Sequence, residues 1–561
     1  MRGLLSAARG GRMSNRTEAN RPFWQRLLSC ALLTATFAAY SGWRVPVPGI
    51  NEPHYLTKAR HYWQPDWCAG DFFLQSTNPH QFFFQTIGWM AAVLPFAAAA
   101  WVGRLLAFLV LAIGWDRLVA RLTPGFLGAT LAAWLFLLLQ TLGNFSGEWL
   151  VGGVESKVFS YGLVLWAGGC LLGSQPIRGG ILLGLAASFH PIVGGWCALL
   201  IAGTIAWNRF ALRLGNRLAS EWQTPNLPFH EGPDLEPVSI AAARVHPVPI
   251  RCWVLAAACC AAAALPGMIP AAAVLREADP SLTLRADLIQ VGYRLVHHLD
   301  PLDFPLESYR YYGLLLVVWR LLLRPREDPV DLRWLTWFTL AAIGLCLAGW
   351  LMAAGPRPLQ DMPLYAMRIR FLKLYPFRVG DLAVPLAVAV TAVVAADRSL
   401  RSAGTTRWLR RGLHIVFAAA FALAVTLPGP DRNPGRMSAA TRAAWLDACH
   451  WLHDHTPHDA LVYASNEDWA LKWYAERAEY VNFKDCPQDA AGIVEWYERQ
   501  RRLSRWSREN YVDRQFSADE MQALHRRTKI THLIVSRFGP IDMSPVYENN
   551  SFRIYDIRLQ E

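Results

Sequence analysis

The sequence predicts a polytopic α-helical membrane protein of about eleven spans that ends in an α/β domain, and two observations carry the prediction. Apolar runs able to cross a hydrocarbon core, which takes about 20 helical residues, recur along the first 430 positions and cease after Val425. From Ala439 onward, helices alternate with short β-rich runs, the order of an α/β layer. Composition agrees: of 561 residues, 53% are hydrophobic and 17% charged, against about a quarter charged in an ordinary soluble chain.

Residues 1–24 form a basic leader with Arg2, Arg9, Arg12, Arg16 and Arg21, followed by apolar Leu27–Tyr40. This order places the N-terminus in the cytoplasm, and without a small-x-small cleavage site the helix reads as a retained anchor rather than a signal peptide. Further spans are expected near 100–116, 125–142, 158–173, 179–190, 192–207, 252–273, 311–323, 334–353, 379–396 and 412–428, which makes 25–430 the transmembrane domain. Loops predicted inside are arginine-rich, with Arg117 and Arg121, Arg209 and Arg213, Arg324 and Arg326, and Arg398 to Arg411. Loops predicted outside (43–98, 274–310 and 354–378) are mixed or acidic, except the last. That parity puts the C-terminal domain, 437–561, outside, provided that Phe82–Ala98 lies in the interface rather than spanning. The net charge of +12 therefore reports topology rather than nucleic-acid binding.

Within the C-terminal domain the pattern predicts a helix to about His455, a strand 460–464, a helix 468–475, a strand 479–483, helices near 489–503 and 516–527, and strands 531–536 and 552–557. His450, His453, His455 and His458 beside Cys449 have the residue types of a zinc site, but they straddle a helix end, where imidazoles suit the dipole. Asn466, Glu467 and Asp468 read as a helix N-terminus. Seven of the ten cysteines lie in apolar segments; Cys449 and Cys486 are left as a pair able to form a disulfide.

Two loops carry candidate chemistry. Loop 354–378 breaks the charge rule with Arg357, Arg368, Arg370, Lys373 and Arg378 against Asp361, and guanidinium forks suit a phosphate. The plain alternative is a positive loop tolerated late in the chain. Glu148, Glu155, Lys157, His190, His297, His298 and Asp300 fall at the outer edges of spans, where ionisable groups are costly unless paired or solvated, and could line one cavity.

The first outside loop holds Gly49-Ile50-Asn51-Glu52-Pro53-His54-Tyr55-Leu56. A short leader, one helix, a long external loop with an acidic residue before a Tyr-Leu pair, many further helices and a trailing α/β domain together resemble the integral-membrane glycosyltransferases of the GT-C fold. Trp451-Leu452 through Thr456-Pro457 to Ala460-Leu461-Val462 is similar to the helix, Thr-Pro and strand often found in that family's C-terminal domains. The resemblance implies transfer of a sugar from a polyprenyl-phosphate donor to an external acceptor, with Glu52 as base and Arg368, Arg370, Lys373 and Arg378 on the donor phosphate. His54, Tyr55, Glu155, Lys157 and His190 complete the substrate-binding candidates. Asn51 stands where many members have a second acid, which favours a metal-independent base, with no cofactor and a divalent metal left open. The strings Gly153-Val154-Glu155-Ser156-Lys157 and Tyr375-Pro376-Phe377-Arg378 also resemble uncharacterised bacterial, planctomycete-like membrane proteins that carry a domain of unknown function. A bacterial inner-membrane protein with a periplasmic C-terminal domain follows as an expectation, its partners a lipid-linked donor and membrane lipids. A transporter or flippase and a non-catalytic scaffold with a ligand-binding outer domain are the alternatives. Walker A, GxGxxG, GxSxG and HExxH motifs are absent, so the common nucleotide and hydrolase classes lack support.

Overall fold

The computed structural model describes residues 21–49, 51–77, 79–221, 248–276, 279–325, 328–402, 407–427, 437–464 and 470–558. The leader to residue 20, residues 222–247 (a predicted inside loop with Pro225, Pro228, Pro233, Pro237 and Arg244), Arg326 and the Asn466-Glu467-Asp468 group lie outside the described residues.

A helix stands at each predicted span: Phe23–Arg44, Phe96–Leu122, Gly128–Gly143, Ser156–Leu172, Pro176–Phe189, Pro191–Glu221, Ile250–Val274, Leu306–Leu322, Val330–Ala353, Arg378–Ser402 and Arg407–Thr426. Among the described residues five stretches, Phe96–Leu122, Pro191–Phe210, Ile250–Val274, Asp331–Ala353 and Arg378–Arg401, are long and apolar enough to cross a membrane, and four further apolar helices are shorter. Proline sets several starts. Pro22, Pro95, Pro249, Pro305 and Pro329 each occupy the residue before a helix, where a fixed φ and the missing N–H cost nothing. Residues 82–98 break into Gln81–Phe83, a π turn Phe84–Gly88 and Met90–Val93 before Pro95, so no continuous helix of spanning length forms there. Helices Phe96–Leu122 and Ser156–Leu172 touch through Gly114, whose missing side chain leaves room for the Gly162 carbonyl. Such small-residue contact lets backbones approach in lipid.

The C-terminal domain is a five-stranded sheet of Leu461–Ala464 (β1), Ala478–Glu479 (β2), His532–Ser536 (β3), Tyr547–Glu548 (β4) and Phe552–Asp556 (β5), in the order β2-β1-β3-β5-β4. β1 runs parallel to β2 and β3, while β5 is antiparallel to β3 and β4. Period-two alternation puts Ile534 and Ile554 against Trp445, Cys449 and Leu452 of helix Ala439–His455. Leu533 and Tyr555 face Trp496, Met521 and Leu524 of helices Ala490–Asn510 and Ala518–Thr528. Cys449 and Cys486 belong to opposite faces and are both free thiols, so the pair does not form a disulfide. The predicted strand 479–483 is corrected: only Ala478–Glu479 pairs, and the chain then leaves the sheet to carry Lys484 and Asp485 toward the helical bundle.

The first loop is the seat of this domain. Arg60 pairs with Glu476 at 3.1 Å, the Trp67 indole N–H donates to Glu476 at 2.9 Å, and Trp473 stacks on Phe96 at 4.8 Å between centroids. Deeper in the seam, buried Lys472 contacts Asp485 and Glu479 at 2.7 Å each and Asp71 at 3.4 Å.

Candidate functional site

Glu52 begins helix Glu52–Trp63 and is completely buried. Arg104, from helix Phe96–Leu122, donates from Nε to Oε1 at 2.6 Å and from Nη2 to Oε2 at 2.7 Å. The backbone N–H groups of Gly49 and Val154 complete both oxygens at 2.6 and 2.8 Å. A Cβ at Gly153 would stand 2.7 Å from the Glu52 Cγ, so the carboxylate also dictates glycine there. With a bidentate guanidinium and two amides on it, this carboxylate has no open side toward a substrate hydroxyl. The expected base role is therefore corrected: Glu52 locks the first loop onto two neighbouring segments.

A second carboxylate is differently placed. The loop carrying Glu148 is pinned by buried Asp381, which accepts from the N–H groups of Phe145 and Ser146 at 3.0 Å and from the Ser146 hydroxyl at 2.5 Å. Glu148 Oε2 meets Arg378 Nε at 3.3 Å and Lys157 Nζ at 3.6 Å. Lys157 also reaches Glu155 at 3.3 Å, and the Asn51 amide donates to Glu155 at 3.0 Å. Arg378 Nη1 lies 3.4 Å from His190 Nε2, and the His190 ring sits 5.0 Å from that of His80. Ser156 links His80 and Tyr55 at 3.3 and 3.4 Å. Thus Tyr55, Glu148, Glu155, Lys157, His190 and Arg378, drawn from four separate stretches of the chain, form one largely buried cluster. Among the described residues Glu148 Oε1 makes no close hydrogen bond, and the buried Tyr161 hydroxyl, likewise without a close one, lies within hydrogen-bonding reach of this carboxylate. Two cations around a buried carboxylate offer charge to an anion and an acceptor for a proton.

The other cations of loop 354–378 do not converge here, which corrects the expected four-residue phosphate site. Helix Tyr365–Leu372 ends in a tight turn at Tyr375 (φ 53°), and only Arg378, on the next helix, enters the cluster. Arg368 donates to the Ala354 carbonyl at 2.6 Å, while Lys373 at 2.6 Å and half-exposed Arg370 at 3.9 Å face Asp287. Arg357 grips both oxygens of Asp300 at 2.8 and 2.7 Å. Acids of loop 274–310, for which the sequence offered no pairing rule, absorb these charges.

Lys484 and Arg294 escaped the sequence reading. Arg294 donates to the Lys484 carbonyl at 2.9 Å and lies 4.9 Å from the Phe483 ring centre. The Lys484 amine is within electrostatic reach of Glu155 and Lys157; enclosure by protein, then Arg294, pushes it down to about 8. The C-terminal domain thus brings a cation to the rim of the cluster. His54 marks the adjoining seam, with Nδ1 2.9 Å from Asp485 Oδ1. Burial alone would raise the Asp485 carboxyl, but Lys472 and His54 hold it well below the usual range. His298 is bound to the Ser146 carbonyl at 2.5 Å, behind the Glu148 loop. The histidines near His455 do not gather: His455 bonds to the Trp451 carbonyl and His453 to Asp454. Among the described residues no three His, Cys, Asp or Glu side chains converge as a metal site.

Two buried imidazoles give a pH prediction. Burial pushes His80 and His298 each down to about 3, against about 6.5 in an unfolded chain. Between those values the unfolded chain takes up protons that the folded one refuses, so stability falls with pH, by roughly 1 kcal/mol per pH unit for each imidazole. Melting temperature in lipid nanodiscs should drop between about pH 6.5 and about pH 5, less steeply for His80→Gln; identical slopes would contradict this assignment.

Residues 443–503 match a domain of unknown function (DUF6798), a stretch that includes Lys472, Lys484 and Asp485. This agrees with the resemblance to proteins carrying such a domain. No curated protein matches the chain.

Proposed function

We propose that this chain is a GT-C-like glycosyltransferase of the bacterial inner membrane, moving a sugar from a polyprenyl-phosphate donor to an acceptor hydroxyl on the periplasmic side. The observation that carries the reading is the buried Glu148 carboxylate, one oxygen held by Arg378 and Lys157 and the other without a close hydrogen bond, beside the Tyr161 hydroxyl. In the step, the acceptor hydroxyl gives its proton to Glu148 Oε1 as its oxygen attacks the anomeric carbon. The bond from that carbon to the phosphate oxygen breaks, and the lipid phosphate keeps the electron pair. Arg378 and Lys157, with Lys484 and Arg294 at the rim, oppose the charge of the phosphate. The arginine-rich loops on the opposite side support the cytoplasmic N-terminus and periplasmic C-terminal domain assumed here.

Lys484 is the cation to test, because protein surrounds its amine while its side chain keeps contact with solvent, and it belongs to neither hydrophobic core of the C-terminal domain. A charged hydrogen bond to phosphate is worth about 1.5–3 kcal/mol, so Lys484→Ala should raise the donor KM by about tenfold or more and weaken competitive inhibition by free polyprenyl phosphate. Unchanged donor KM and inhibition would remove Lys484 from the donor site.

A further inference from the structure

Apart from the cluster, an open cleft of about 650 Å³ runs between the segment Arg285–Asp303, the turn Arg357–Gln360 and Tyr497 of the C-terminal domain. None of the cluster residues lines it. Its size falls in the range of roughly 300–1,000 Å³ usual for small-ligand sites, and it lies where two domains meet, a common place for one. Tyr293 and Tyr497 stand edge to face at 5.3 Å and 80°, and Tyr293 is 47% exposed. Around them are four charged side chains, Arg285, Arg357, Asp300 and Asp303. Two guanidinium groups against two carboxylates leave the lining without net charge, and Arg501, which donates to the Tyr497 hydroxyl at 3.1 Å, is balanced by Glu498 nearby. Arg357 is already engaged by Asp300, and Arg285 by Glu498. Asp300 is oriented further by the Leu302 N–H at 3.1 Å.

An anion would find no surplus positive charge here, and an apolar ligand would bury paired ions without replacing their hydration. A neutral molecule with many hydroxyls meets neither objection. Carboxylate and guanidinium planes can each take two neighbouring hydroxyls as acceptor or donor. An exposed tyrosine ring offers an apolar face for the C–H side of a pyranose and a polar tip for its rim. We infer that this cleft is a binding site for a neutral oligosaccharide, held by Tyr293 and Tyr497 and by the Asp300, Asp303, Arg285 and Arg357 quartet. The inference does not depend on the transferase reading, since a glycan-binding scaffold would use the same cleft.

The test uses the full chain in phosphatidylcholine nanodiscs and saturation-transfer NMR with maltotetraose, cellotetraose and chitotetraose, alongside glycerol phosphate as an anionic probe. At least one oligosaccharide should receive saturation, strongest at its ring C–H protons. Its affinity should fall about fivefold or more in Tyr497→Ala and in Asp303→Asn, the loss of one ring contact or one charged hydrogen bond. Asp303 is exposed and Tyr497 only half-buried, so both variants should fold, as their melting temperatures will show. Absence of transfer to all three sugars, equal binding by the unaltered protein and both folded variants, or preference for glycerol phosphate would each overturn the inference. Loss of donor turnover with sugar binding intact would strike the transferase reading alone.

Discussion

Replacing Glu52 with glutamine is expected to cost about 3–5 kcal/mol of stability, because it leaves the Arg104 guanidinium buried without its counter-ion. Arg104 is fully buried, and its remaining partners are the Ser41 hydroxyl at 3.1 Å and the Val45 carbonyl at 2.7 Å, neither of which carries charge. Whichever way the glutamine amide turns, its NH2 would face one guanidinium N–H and one backbone N–H, either Arg104 Nε with Val154 or Arg104 Nη2 with Gly49. Urea unfolding in nanodiscs should show the loss directly. A paired substitution, Glu52→Leu with Arg104→Met, should recover much of it, since a buried ion pair replaced by apolar groups of similar volume is often near neutral. A Glu52→Gln variant as stable as the unaltered protein would remove Glu52 from its structural role.

Glu148→Gln is expected to act on rate instead. The amide has the shape of the carboxylate and its oxygen can still face Arg378, while Glu155 keeps Lys157 paired. What disappears is the site that accepts a proton, and a positioned general base typically contributes about 10²–10⁴-fold. The turnover rate should fall by about that factor with donor KM shifted far less. The two acids therefore separate cleanly: one variant loses its fold, the other its rate.

The difference between these carboxylates shows where the sequence was legible. Apolar runs and the prolines before them marked the helices, because a span must satisfy its backbone within one local segment. Alternation marked β1, β3 and β5 for the same local reason, whereas two-residue β4 is too short to leave a pattern. Glu148, Glu155, Lys157 and His190 were recognisable as a group because ionisable residues at membrane edges demand partners. Arg104 met that same criterion, lying inside an apolar helix, and was the available signal for Glu52. Its pairing across 52 residues of chain follows no spacing rule. The cation-rich loop misled for a related reason: charge excess in a segment says nothing of Asp287 and Asp300 arriving from another loop. Lys484 lay in a predicted strand's continuation, where only the observed departure from the sheet exposes it.

As proposed, Glu148 removes a proton during transfer from a lipid-phosphate donor. The direct measurement is single-turnover consumption of radiolabelled sugar carried on polyprenyl phosphate, by the unaltered protein and by Glu148→Gln, both in nanodiscs and both shown to melt normally. The unaltered protein should consume donor, with donor loss slowed about a hundredfold or more in the variant. Equal rates from the two proteins, or no consumption of any donor by the unaltered protein, would contradict the proposal.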